Sequence, residues 1–181
     1  FGGEPFLHPD IIKIAKYAKN SGFFVGFVSN GSCIDEKKAS ELVNCVDGGS
    51  LSIHGFKDTH EKIDGVRNSF DKSISTLKIL LEAGIESNIC YTLTNRNLNE
   101  LHEFGDYAFS NFDIGYFGVN RFIPQGRGLK NRDKLELTVR DFNKALRTLD
   151  ELNKKYKREV RITDGFPLCL VEEEKLESII K

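Results

Sequence analysis

The 181 residues suit one domain whose core is large enough to stand without disulfide or metal staples. With 39% hydrophobic and 29% charged residues and a net charge of −1, nothing draws the chain toward nucleic acid or an anionic membrane. No apolar run approaches the roughly 20 residues of a membrane helix, and no signal peptide is visible. Cys33, Cys45, Cys90 and Cys169 are too scattered for a disulfide framework, so a reducing, cytoplasmic setting is expected. The sequence holds no methionine, not even at position 1. We therefore expect a fragment whose beginning is absent.

In chain order, "PDIIKIAKYAKNSG" sets Ile11, Ile14, Ala15 and Ala18 at helical spacing, with Gly22 as a stop. "FFVGFVS" is an almost wholly apolar run, as for a strand buried on both faces. "DEKKASELVN" follows as a short helix and "GSLSIHG" as a strand. "SFDKSISTLKILLEAG" is the clearest helix, with Ser69 as its cap, Phe70, Ile74, Leu77 and Leu81 along one face and Gly84 at its end. The cycle repeats through the strand "ESNICYTLT", the helix "NLNELHEFGDYAFS" and the strand "DIGYFGVNRFI". A helix over "TVRDFNKALRTLDELNKKY" starts from a capping-box pair, Thr138 and Asp141, and "EVRIT" forms a last short strand before "DGFPLC".

Strand–helix units of about 30 residues predict an α/β fold of parallel strands joined by helical crossovers. Four such units are too few for a full eight-stranded barrel of ~250 residues, leaving a partial barrel or an open doubly wound sheet. Both bind ligands beyond the carboxyl ends of the strands. Those ends are polar and glycine-rich: "GGEP", "SNGS", "SIHG", "TLTN" and "FIPQGRG". In the first, two glycines let a ligand approach the backbone, and their carbonyls with the Glu4 carboxylate form an acceptor cluster suited to an ammonium. Taken alone, "GGEP" fits a plain strand-to-helix turn equally well.

The series is more specific than its parts. "FGGEPFLHPDI", "SNGS", "LSIHG", "HEKIDGVRNSFDK", "AGIESNICYTLTNRNLNEL" and "FIPQGRG" resemble, in order and approximate spacing, the radical S-adenosylmethionine (radical SAM) enzymes. The resemblance is to the branch that often carries a SPASM or twitch-type extension for auxiliary clusters, and it spans positions 1 to about 128. It implies a partial (β/α) barrel with outer helices, lacking its first strand and cluster loop. Residues 1–158 would form that core, and residues 159–181 the start of a C-terminal extension.

The resemblance also implies chemistry: a reduced 4Fe–4S cluster cleaves S-adenosylmethionine to a 5′-deoxyadenosyl radical that takes hydrogen from a substrate. A peptide or protein substrate in a modification or maturation pathway, and a reductant protein, would be the partners. Gly2, Gly3 and Glu4 would receive the methionyl ammonium, and Ser52 the methionyl carboxylate. The strand "NICYTLT", through Thr92, would flank ribose and adenine, with Ile123 and Pro124 closing over the adenine. Many members place arginine where Asp64 stands, and Arg67 is the nearby replacement, competing with a role as a solvated surface cation. His54 stands where most members have aspartate and faces the substrate cavity. The family's CxxxCxxC loop has no counterpart here, so Cys33, Cys45 and Cys90 read as packing residues. Cys169 is either an auxiliary-cluster ligand or an ordinary loop cysteine.

Among the remaining residues, Asn97 is expected to cap a helix at Leu98, and His60 and His102 to lie at the surface. Arg127 serves either a substrate anion or a flexible loop. Two other functions stay open: a non-catalytic nucleotide-binding or regulatory domain on the same barrel, and an unrelated barrel enzyme using Glu4 with His54 as acid and base.

Overall fold

The described residues build one five-stranded sheet, all parallel, with the strands side by side in chain order. The computed structural model describes residues 3–126 and 128–162. A short 3-10 turn over Pro5–Leu7 leads to α1 (Ile11–Asn20), β1 (Gly26–Ser29), α2 (Glu36–Leu42) and β2 (Gly48–Ser52). Then come α3 (Lys57–Asp64), α4 (Ser69–Glu82), β3 (Ser87–Leu93), α5 (Leu101–Asn111) and β4 (Tyr116–Arg121). A four-residue α6 (Arg132–Leu135), the long α7 (Val139–Tyr156) and β5 (Glu159–Ile162) follow. Strand order that never reverses is the winding of a barrel wall and removes the doubly wound alternative, in which order reverses at a switch point. The boundary expected at 158 falls just before β5, which pairs in register with β4.

Register sorts the side chains into two faces. Leu51, Ile89 and Phe117 share one row and Tyr91 and Val119 another, all completely buried. They meet Leu77 and Leu80 of α4, Leu101 and Phe104 of α5, and Leu149 of α7 in one core. Tyr91 packs against Phe104 and Phe117 and donates its hydroxyl proton to the Asn97 carbonyl at 2.9 Å. The alternate rows, Ser50–Asn88–Tyr116 and Ser52–Cys90–Gly118, face the concave side and are polar or small. Such alternation is unusual for parallel strands, which normally bury both faces.

Two local expectations change, and one helix is added that the periodicity does not show. The "FFVGFVS" run is not buried on both faces: it yields only the four residues of β1, an edge strand, and Phe23, Phe24 and Val28 are exposed. Ser69 does not cap α4; it is the first helical residue, and its hydroxyl donates to the Val66 carbonyl. α3 carries no apolar periodicity over "KDTHEKID" and so escaped a periodicity-based reading. Its helix is held instead by the wholly buried His60 and by Glu100 of the β3–α5 connection, which accepts from the Phe56 amide and the Thr59 hydroxyl. The Thr138–Asp141 capping box on α7 forms as expected.

Gly49 shows how tightly β1 and β2 meet: a Cβ there would lie 2.2 Å from the ring of Phe27, its register partner. Gly49→Ala should lower stability by about 1–3 kcal/mol through overpacking, measured by urea denaturation. Adding Phe27→Ala should restore part of the loss, and an additive double variant would contradict the contact.

Candidate functional site

Because all five strands run the same way, Ser29, Ser52, Leu93, Arg121 and Ile162 end on one rim. Polar contacts between neighbouring strand ends build that rim. Glu4 caps the first 3-10 turn: its Oε1 accepts from the Phe6 amide at 3.2 Å and the Ser29 hydroxyl at 2.7 Å. Its Oε2 accepts from the Asn30 amide at 2.8 Å. A carboxylate oxygen accepts about two hydrogen bonds, so one position on Oε2 remains. Glu4 therefore joins "GGEP" to "SNGS" while keeping limited capacity for a ligand. Ser73 and Thr76 of α4 then donate to the carbonyls of Asn30 and Gly31, fixing the "SNGS" loop from behind.

The neighbouring rim position belongs to β2 and β3. The His54 amide donates to His60 Nδ1 at 3.1 Å, and the Thr92 amide donates to His54 Nδ1 at 3.1 Å. Each imidazole thus accepts a backbone proton on Nδ1, which places its own proton on Nε2 when neutral. Both Nε2 atoms approach Asp64, at 3.9 Å from His54 and 3.2 Å from His60. Burial drives the His54 pKa down to about 3, helped by the adjacent His60. Burial also lowers His60 and raises Asp64.

Asn97 corrects a sequence expectation. It makes no side-chain cap bond; fully buried, it donates through Nδ2 to the carbonyls of His54 and Thr92, both at 2.9 Å. Its Oδ1 accepts from the Thr94 amide and hydroxyl. It stitches the end of β2 to the end of β3. His60 is likewise buried instead of exposed, whereas His102 is half-exposed as expected. Asn97, His60 and Glu100 are the rim builders that sequence reasoning missed. No motif marks such roles, because each depends on contacts between separate elements.

Of the other expected site residues, Gly3 has φ +76° and open space where a Cβ would stand. Ser52 is half-buried on the concave face, its hydroxyl free of hydrogen bonds among the described residues. Thr92 sits two residues beyond Cys90, the register partner of Ser52. Ile123 is exposed and Pro124 half-buried, just past the point where the Phe122 amide reaches the Leu93 carbonyl. Arg67 lies exposed on the α3–α4 connection, apart from Ser52 in every described contact. Gly2, Arg127 and Cys169 lie outside the described residues.

A cavity of about 660 Å³ extends from α1 and the edge of β1 across the sheet, lined by Phe6, Phe27, Val28, Ser50, Tyr116 of β4 and Arg161 of β5 among others. Its walls are largely apolar. The convergent polar groups stand at the rim, which is why the rim is the candidate site. Among the described residues no three His, Cys, Asp or Glu side chains group as metal ligands. Cys45 is buried with its thiol on the Glu41 carbonyl, and Cys90 accepts from Asn120 Nδ2 at 3.0 Å. The described residues thus do not fit a 4Fe–4S cluster, which needs three thiolates together. No described helix is long and apolar enough to cross a membrane.

The pattern of the Radical SAM superfamily matches residues 1–108. The chain is 27% identical over 164 residues to an AdoMet-dependent heme synthase of Methanosarcina barkeri, covering 90% of this chain and 46% of that protein. It is 23% identical over 166 residues to the PqqA peptide cyclase of Bradyrhizobium diazoefficiens, covering 89% and 43%. In fold it is similar to Streptococcus suis SuiB bound to S-adenosylmethionine, with TM-score 0.73, 19% identity and coverage of 92% and 39%. The chain spans less than half the length of these relatives.

The two histidines make a pH prediction. A histidine kept neutral by folding adds stability that is complete above its unfolded pKa of about 6.5 and is lost as pH falls toward the folded value. For His54 that window runs from about 6.5 down to about 3, with a slope of up to ~1.4 kcal/mol per pH unit. The His54 ring resonances in NMR should stay flat from pH 7.5 to 5, and a midpoint near 6.5 would contradict its burial.

Proposed function

The chain belongs to the radical SAM superfamily, and on that premise we propose that its strand-end rim binds S-adenosylmethionine in an enzyme that abstracts hydrogen from a substrate. The observation that carries the proposal is the Glu4 junction, which sets the "GGEP" turn against β1 with its backbone turned to open space.

A methionyl group needs acceptors for its ammonium and donors for its carboxylate. The Gly3 carbonyl and the remaining position on Glu4 Oε2 are the acceptors, and Gly2, outside the described residues, is assigned to the same group. The unbonded Ser52 hydroxyl is a donor, and Thr92 with Ile123 and Pro124 flanks the nucleoside. The exposed Arg67 stays a surface cation in this assignment. Bound here, the cofactor would supply the carbon radical, and the protein would bind, orient and shield it. The cluster's thiolates come, on this reading, from outside the described residues. Among the relatives are a peptide cyclase and a SuiB structure bound to its precursor peptide, which favours a peptide substrate. Relatives named as a heme synthase and an Fe-coproporphyrin III synthase favour a tetrapyrrole as the second reading.

Calorimetry with S-adenosylmethionine tests this directly. Glu4→Gln should weaken binding about tenfold or more, because it removes a charge-assisted contact and loosens the turn. Ser52→Ala should weaken it less, by about fivefold. Unchanged affinity in both variants would overturn the assignment.

A further inference from the structure

We propose that Asp64, held between His54 and His60 at the mouth of the barrel, is the docking point for a protonated amine of the substrate. This rests on the rim being the active site. It adds the chemical class of the group that the site receives.

The side chain of Asp64 is 21% exposed, so it is largely withdrawn from water yet open on one side. A carboxylate in that position is normally held by a lysine or an arginine. Among the described residues, Asp64 is paired with neither; its ion-pair neighbours are the two histidines alone. Both are kept neutral by their surroundings, with Nδ1 committed to backbone amides and desolvation opposing a second proton. They therefore offer dipoles and no compensating charge.

The geometry is unfinished in the same way. His60 Nε2, on a side chain with no exposure, stands 3.2 Å from Asp64 Oδ2 but makes no hydrogen bond. His54 Nε2 stands 3.9 Å from Oδ1, beyond hydrogen-bond range. Apart from support by the Ser69 hydroxyl, no described side chain is hydrogen-bonded to the carboxylate, so acceptor positions remain on it. One turn earlier on α3, Glu61 Oε1 is also buried without a hydrogen bond, so the surroundings add negative potential. A compact ammonium supplies the charge and N–H donors that this arrangement lacks. An anionic group would have to approach the Asp64 carboxylate itself, against its charge.

Methylammonium chloride is a suitable probe for an NMR titration of the protein, following the ring resonances of His54 and His60. A saturable shift is expected, at least tenfold weaker in Asp64→Asn. Tetramethylammonium, which has the charge without N–H donors, and sodium chloride at equal ionic strength should each give only a linear drift. Absence of saturation in the wild-type protein would overturn the proposal, as would saturation that survives in Asp64→Asn or is matched by either control salt. S-adenosylmethionine binding, measured on the same samples, should be unchanged in Asp64→Asn. A tenfold loss there would assign Asp64 to the cofactor and overturn the proposal. Failure of the wild-type protein to bind S-adenosylmethionine would instead strike the functional reading, leaving the amine titration to be judged by its own curve.

Discussion

A single carboxylate joins the first turn of the chain to the end of β1. Glu4 accepts two hydrogen bonds on one oxygen and one on the other, from donors in its own turn, at a strand end and in the following loop, up to 26 positions away in sequence. Charge-assisted bonds of this kind are roughly twice as strong as neutral ones. Without them the course of the turn past the end of β1 would rest on packing, chiefly the edge-to-face contact of Phe6 with Phe27. The residue that reads as a ligand contact is thus first a structural bond, and its capacity for a ligand is what that bond leaves over.

The same logic continues along the rim. Parallel strands end together, leaving carbonyls and amides at the mouth that the sheet itself cannot satisfy. Asn97 answers two of these carbonyls, and the ring nitrogens of His54 and His60 answer two amides. Glu100 does the same for the loop before α3. Asn97 and His54 tie the end of β2 to the end of β3, and His60 and Glu100 fasten α3 and its lead-in loop beside them, so this part of the mouth is one polar network. Buried networks of this sort rigidify a site and penalise the loss of any member. The concave face beneath stays small and polar because helices cover only the opposite side.

Much of the sheet was legible in the sequence because apolar runs and glycine stops record burial along a single element. The strands over "ESNICYTLT" and "DIGYFGVNRFI" and the amphipathic α4 and α7 lie where periodicity puts them. Local signals failed where an element owes its existence to something distant. α3 has no apolar stripe and stands on His60 and Glu100. Asn97 has the composition of a helix cap but spends its amide on two other segments. The apolar run before β1 signals burial, yet Phe24 is 82% exposed, because apolarity does not say which neighbour covers a strand. At the site, "GGEP" and "SNGS" were visible as separate motifs; the bond between them was not, since it needs the fold to bring them together.

Hydrogen–deuterium exchange with and without S-adenosylmethionine addresses the central claim, that one small molecule is gripped by the strand-end rim as a unit. Slowed exchange should appear together at residues 3–6, 29–31, 52–55, 92–94 and 122–125, with the opposite strand ends near 26, 48, 87 and 116 unaffected. Protection confined to those opposite ends, or to only one of the rim segments, would contradict the account.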